Sequence, residues 1–389
     1  MFNKQLYLYP SKETNSVYLF CKNSLLLLKI NTMYIKSLLT IILLGLITFS
    51  FAQQPQLDKH KQYEVSGIGF YNLENLFDTI VDPDTNKILQ EDFTPHGKKN
   101  FNSERYEKKI ANMSYVISQV GTKYLPDGLA IIGVAEIENK AVLEDLVNHP
   151  NLKTRNYGIV HYDSPDARGI DVGLLYNPKY FKVLDSKRYP LTTYGDGETF
   201  RTRDQLLVTG ELNGEKIHVI VAHWPSRRGG EKRSAPRRIA AGELGRKIID
   251  SIQAVEPNAK IVYMGDLNDD PVDKSVRKAM KSVGSINKLT EDKLYNPMEK
   301  FYHNGIGTLA WRDSWNLFDQ LILSPGFVTK DNNFDTYKFY KAVVFNREFL
   351  KNSTGAFKGY PHRTYVGPNF MNGYSDHFPV FMLVVKEKK

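Results

Sequence analysis

Short apolar runs alternate with amphipathic stretches along this chain, and the two periods separate strands from helices. Runs at Val65–Tyr71, Leu129–Ala135, Val172–Tyr176, Leu206–Glu211, Ile217–Ala222, Lys260–Met264, Gln320–Leu323 and Phe378–Val385 read as strands. Ser103–Gln119, Ala141–Asn148, Arg238–Ala254 and Lys274–Val283 read as helices. The runs LAIIGVA and KIHVIVA are apolar on both faces, which predicts central strands covered from both sides. Leu212-Asn213-Gly214-Glu215 is a hairpin signal, because Asn and Gly accept the positive φ of a tight two-residue turn. Antiparallel hairpins mixed with helices predict packed sheets with helices outside, and argue against a doubly wound parallel sheet.

The first fifty residues follow a different pattern. Lys36 supplies a positive start, Leu38–Phe49 is a twelve-residue apolar stretch, and Ser50-Phe51-Ala52 places small residues before a cleavage point at Gln53. That is the anatomy of a secretory signal peptide over residues 33–52. The apolar stretch is shorter than the roughly 20 residues a spanning helix requires. A signal peptide ordinarily opens at its own positive region, so residues 1–32 read as an upstream extension ahead of a true start at Met33. Residues 53–63 are polar and read as a flexible lead-in. Residues 64–389 carry no low-complexity linker or internal repeat and read as one domain. The expected product is a secreted or periplasmic monomer with no stable membrane insertion once the leader is removed.

Composition changes this picture in two ways. The only cysteine, Cys21, lies ahead of the expected cleavage point, so the mature chain has no disulfide and no thiolate metal site. The net charge of +9 for the whole chain falls to about +5 without the leader. A mildly basic balance permits an anionic substrate without selecting one.

The chemistry sits where apolar strands end. Asn72 and Glu74 follow the first strand and Glu136 the next; His223 closes HVIVAH; Asp266 and Asn268 close IVYMGDLN; Asp319 opens FDQLI; Asp376 and His377 precede FPV. Any one of these alone reads as a turn former or a structural histidine. Together they form a set of carboxylates, amides and histidines without sulfur, which suits Mg²⁺, with Mn²⁺ or Ca²⁺ as alternatives, and suits zinc poorly.

The ordered series YNLEN, AEIEN, AHWPS, GDLND, FDQLI and SDHFP resembles the endonuclease/exonuclease/phosphatase superfamily, which includes deoxyribonuclease-I-like nucleases, sphingomyelinases and inositol polyphosphate phosphatases. The resemblance runs from about Val65 to Val385. It implies a four-layer α/β/β/α sandwich of two mixed, largely antiparallel sheets with outer helices. It also implies Glu136 as the main metal ligand, with Asn72 and Asp376 beside it. His377 would be the catalytic histidine and Asp319 its carboxylate partner. Asp266 and Asn268 would orient water and phosphate, and His223 would be the mid-chain histidine. The implied activity is metal-assisted hydrolysis of phosphate esters by water.

Arginine binds phosphate as a planar fork. Arg168, Arg201 and Arg227 are read as substrate contacts, with Asp171 holding one of them, whereas Lys232, Arg233 and Arg238 read as a solvated helix start. Trp224, Trp311 and Trp315 are candidates for stacking on bases. Three functions remain open at this stage: a nuclease, an enzyme of lipid head groups, inositol phosphates or other small phosphate esters, and a binding protein that has lost catalysis. Tyr295–Trp315 and Phe339–Arg363 match no element of the resemblance and are expected to hold the specificity loops.

Overall fold

A computed structural model describes residues 56–84, 86–87, 90–195 and 198–388, with side chains omitted for 194–200. The leader, the upstream extension and Cys21 lie outside these residues. Two large sheets form the body. The first orders its strands as Lys338–Val344, Val380–Glu387, Tyr63–Leu76, Ile131–Ile137, Asp171–Tyr176 and Gly158–His161. The second orders Ser282–Val283, Leu294–Tyr295, Asp319–Leu323, Ile261–Asp266, Glu215–His223, Gln205–Leu212 and Phe181–Tyr189. Most pairings are antiparallel; Tyr63–Leu76 runs parallel to Ile131–Ile137, and Glu215–His223 parallel to Ile261–Asp266.

The two-residue period of a strand explains the layering. Val219, Val221, Val262, Met264, Leu321 and Leu323 point into the core between the sheets. Their neighbours Ile220, Ala222, Ile261, Tyr263 and Ile322 point the other way, onto Ala241, Ile248 and Ile249 of the helix Glu231–Val255. On the far side, Ile110, Met113 and Ile117 of helix Ser103–Gln119 join Val142, Leu143 and Leu146 of helix Lys140–Asn148 over the first sheet. The α/β/β/α sandwich follows. The sheets approach closely at Gly133, where a Cβ would lie 2.7 Å from Met264 Sδ.

Asn102 and Asn139 cap the first two helices by accepting from the backbone N–H of Arg105 and Val142, each at 3.1 Å. The hairpin at 212–215 forms as expected, with Asn213 and Gly214 at φ 47° and 79°. Three expectations are corrected. Lys274–Val283 is not a helix but a single wide turn at Ser275–Ala279 followed by the short strand Ser282–Val283. The long helix starts at Glu231, ahead of Pro236. Arg238 is fully buried rather than solvated, and its guanidinium ties that start together through Glu231 O, Ser234 Oγ and Asp269.

Candidate functional site

Strand register assembles the centre of the site. His223 pairs with Asp266, and Asp266 with Asp319, so three chemically active residues stand side by side at the ends of three neighbouring strands. His377 arrives from the other sheet, just before the strand Val380–Glu387. Its Nδ1 lies 2.7 Å from Asp319 Oδ2, while its Nε2 faces Asp266 Oδ2 at 3.8 Å. His223 Nε2 lies 3.5 Å from the same Asp266 oxygen and 3.9 Å from Glu136 Oε1. All five side chains are buried.

The first sheet delivers its residues through two adjacent bulges. The register slips between Asn72 and Leu76, and again between Ala135 and Ile137. Glu74, Asn75 and Glu136 take φ of 49°, 55° and 59° there. A bulge re-aims a side chain at some cost in backbone strain, and such strain collects at functional sites. The cost is offset across the pair, because Asn75 N–H donates to Glu136 Oε2 at 3.0 Å. Asn72 Nδ2 donates to Asp266 Oδ2 at 3.1 Å, joining the two sheets. Asn268, at φ 50°, donates its N–H to Asp266 Oδ1 and its amide to Trp224 O, each at 3.0 Å.

The structure adds Lys109 and places Arg363, for which the YPHRTY motif left both a site contact and a surface position open. Arg363 donates to Glu74 Oε1 at 3.1 Å and to Asp376 Oδ2 at 2.8 Å, with two-fifths of its side chain exposed. Beneath it, the fully buried Lys109 donates to Thr364 Oγ1 and Tyr374 O. Arg203 is buried and bonds Asp166 and Trp224 O. Arg201 is exposed, at the end of a small hairpin.

The remaining expected contacts divide by partner. Arg168 reaches Glu136 Oε1 at 3.3 Å and Asn75 Oδ1 at 2.7 Å, and so belongs to the site. Arg227 is engaged by Asn268 O, Asp269, Asp273 and Glu231, and its guanidinium lies over Phe318. Asp171 holds no arginine; it accepts from Ser164 and pairs with His161 at 3.0 Å. Trp224 is fully buried, with Nε1 donating to Tyr263 Oη, so it cannot stack on a base.

Burial and charge tune these groups in opposite directions. Burial pushes the Asp266 carboxyl up to about 7, with Asp319 and Glu136 adding to the rise and His377 opposing it. Burial alone would lower His377, yet Asp319 and Asp266 hold it well above the usual imidazole value. Burial, Arg203 and Arg168 press His223 well below that value. The site therefore pairs one charged imidazole with one neutral imidazole around a carboxyl poised near neutrality.

Glu74, Glu136, Asp266 and Asp376 crowd this region with oxygen donors, and Asn72 adds an amide. With no sulfur present and two carboxylates converging on one imidazole nitrogen, the donor set fits a hard divalent cation. His161, Asp163 and Asp171 form a second group whose ligand atoms lie within 4.8 Å of one another, but Asp171 is already bonded within it.

The model of the endonuclease/exonuclease/phosphatase family matches residues 67–386. Comparison with curated protein sequences finds no match. Among solved structures, an endonuclease/exonuclease/phosphatase family protein from Bacteroides thetaiotaomicron is similar at 15% identity and a TM-score of 0.52, covering 84% of this chain and 100% of that one. D. rerio TDP2 complexed with a single-strand DNA product matches at 12% identity and 0.48, covering 82% and 98%. The B. thetaiotaomicron mannosyl-6-phosphatase Bt3783 matches at 15% and 0.47, covering 82% and 99%. The chain belongs to the endonuclease/exonuclease/phosphatase family, whose members are phosphoester hydrolases that generally depend on a divalent metal ion.

Proposed function

We propose that this chain is a secreted, Mg²⁺-dependent endonuclease that hydrolyses phosphodiester bonds of nucleic acid with water as the attacking group. The observation that supports it is the meeting of His377, Asp319, Asp266, His223 and Glu136 at the abutting strand ends of the two sheets. A phosphodiester is anionic and repels hydroxide, so the site must neutralise charge and deliver water in line. Glu136 and Asn72 would hold the ion, with Asp376 nearby, and the ion would stabilise charge on the phosphate oxygens. Asp266, poised near neutrality, accepts the water's proton. His377, charged and oriented by Asp319, donates a proton to the leaving oxygen. Neutral His223 and Asn268 orient the phosphate, and Arg168 and Arg363 present guanidinium to it.

The test is nicking of supercoiled DNA by the mature protein with Mg²⁺ and with EDTA. Nicking is expected with the metal, and is expected to disappear with EDTA and in His377→Ala. A Mg²⁺ titration of Glu136→Gln should shift the half-activating concentration up by at least about tenfold, and calorimetry of Mg²⁺ binding should show the same shift. An unchanged titration removes Glu136 from the metal site. If no DNA is nicked, the substrate moves to small phosphate esters, starting with lipid head groups and inositol phosphates. Export rests on the leader alone, and N-terminal sequencing of the exported protein should begin at Gln53; a start upstream of Met33 overturns the leader assignment.

A further inference from the structure

The two segments without a counterpart in the family resemblance meet each other beside His377. One folds as the hairpin Leu309–Trp311 and Ser314–Asn316. Its tip residues, Arg312 and Asp313, both take positive φ, 47° and 61°. A two-residue turn of this kind favours Asn-Gly, so Arg-Asp holds it under strain. The strain is offset from the second segment: Tyr360 Oη donates to Asp313 Oδ1 at 2.5 Å, and Asp313 N–H donates back to Tyr360 Oη at 2.9 Å. The hairpin base is tied to the catalytic strands, since Phe378 N–H donates to Thr308 O and Asp319 N–H to Thr308 Oγ1.

This clasp lines up aromatic rings outward from the site. Phe378, the residue after His377, is buried and stacks on Trp315 at 6.0 Å between centroids, with 17° between planes. Tyr360 stands edge-on to Trp315 at 5.7 Å, and Phe357 packs on Tyr360 at 5.8 Å. Trp315 is 37% exposed and Phe357 56% exposed, so both outer rings are partly open to solvent. Trp311 pairs with Ser314 and lies on the opposite face of the hairpin from Trp315, so it stands outside this row. Partly exposed rings that run on from Phe378, the residue after His377, and are held by a strained turn suit a planar ligand.

We propose that Trp315, Tyr360 and Phe357 form a stacking row for unpaired nucleobases flanking the scissile phosphate, so that the enzyme favours single strands or frayed ends over paired duplex. The inference rests on the nuclease reading above. Base stacking on an aromatic side chain is sequence-tolerant, because every base has a π-face, and losing one such ring typically weakens binding about tenfold.

The test compares three substrates with the mature protein and Mg²⁺: a single-stranded oligonucleotide, the same length of strand with tetrahydrofuran abasic residues, and the paired duplex. The row predicts KM about tenfold or more lower for the base-bearing single strand than for either of the others. Phe357→Ala should raise KM on the base-bearing strand several-fold with kcat nearly unchanged, and should leave the abasic strand unaffected. Phe357 packs on Tyr360 at the outer end of the row, so this variant keeps the test clear of damage near His377; Trp315→Ala, with Trp315→Phe as rescue, should give the larger shift. Equal KM on base-bearing and abasic strands, or equal effects of Phe357→Ala on both, overturns the stacking row while the nuclease stands. Failure to cut any strand, with His377-dependent hydrolysis of a small phosphate ester intact, overturns the nuclease reading and the row with it.

Discussion

Asp319→Asn should lower turnover by about four orders of magnitude, as loss of the orienting carboxylate does in other histidine-carboxylate hydrolases, while leaving the fold and substrate binding nearly intact. Asp319 is fully buried, and its Oδ2 accepts from His377 Nδ1 at 2.7 Å. The carboxylate does two things at that distance. It fixes the proton on Nδ1, leaving Nε2 directed at the reacting atoms and Asp266. It also stabilises the imidazolium against the burial that would otherwise discharge it. Asparagine keeps the size and the backbone register with Asp266 but removes the charge. The His377 pKa should then fall. In the proposed mechanism the protonated ring is the proton donor, so activity is lost as pH rises through that pKa and the alkaline limb of the residual pH profile should move to lower pH. Steady-state and single-turnover kinetics across pH, beside thermal melting, measure each part. Turnover within tenfold of the native enzyme would remove the pair from the chemistry.

Most of the centre of the site was legible because strand ends are legible. A carboxylate or imidazole directly before or after an apolar run stands at a strand end, whatever the register, and Asp266, Asp319, His223 and His377 are placed there by that pattern, their roles coming from the family resemblance. Glu136 and Glu74 depend on bulges, which sequence period does not announce, since the apolar alternation continues on both sides of the slip. The arginines were least legible. A guanidinium has the same sequence signature whether it meets a phosphate or a protein carboxylate, so Arg227, engaged by Asp269 and Asp273, could not be told from Arg168 at Glu136. Trp224 failed for a related reason: adjacency to His223 says nothing of direction, and successive strand residues point to opposite faces. The Lys274–Val283 pattern has helical spacing but is too short to override the pairing of Ser282–Val283 with Leu294–Tyr295.

Lys109→Met should destabilise the mature protein by about 1–3 kcal/mol, the typical cost of leaving buried polar groups without a hydrogen-bond partner. Lys109 lies in helix Ser103–Gln119 and is fully buried. Burial lowers its ammonium to about 8, with Glu74 and Asp376 working against the drop. Burial raises Glu74 in turn to about 6, a rise that Asp376 adds to and Lys109 and Arg363 resist. Each group is tolerable inside the protein because the other is present. Methionine fills the space of the lysine stem but leaves Glu74 with one fewer cation, and leaves Thr364 Oγ1 and Tyr374 O without their donor. Glu74→Gln alone should also destabilise, whereas the double variant Lys109→Met/Glu74→Gln should recover much of the loss, since both charges leave together. Urea unfolding of the four proteins completes the cycle. Additive losses would mean that the two groups are not coupled. The same network reaches the site through Thr364, whose N–H donates to Glu74, and through Arg363, which Glu74 and Asp376 share. The helix under the first sheet therefore sets the position of Arg363. Lys109→Met should raise KM more than it lowers kcat, because Thr364, which anchors Arg363's partner Glu74, loses its tie to Lys109 while His377, Asp319 and Asp266 stay in register.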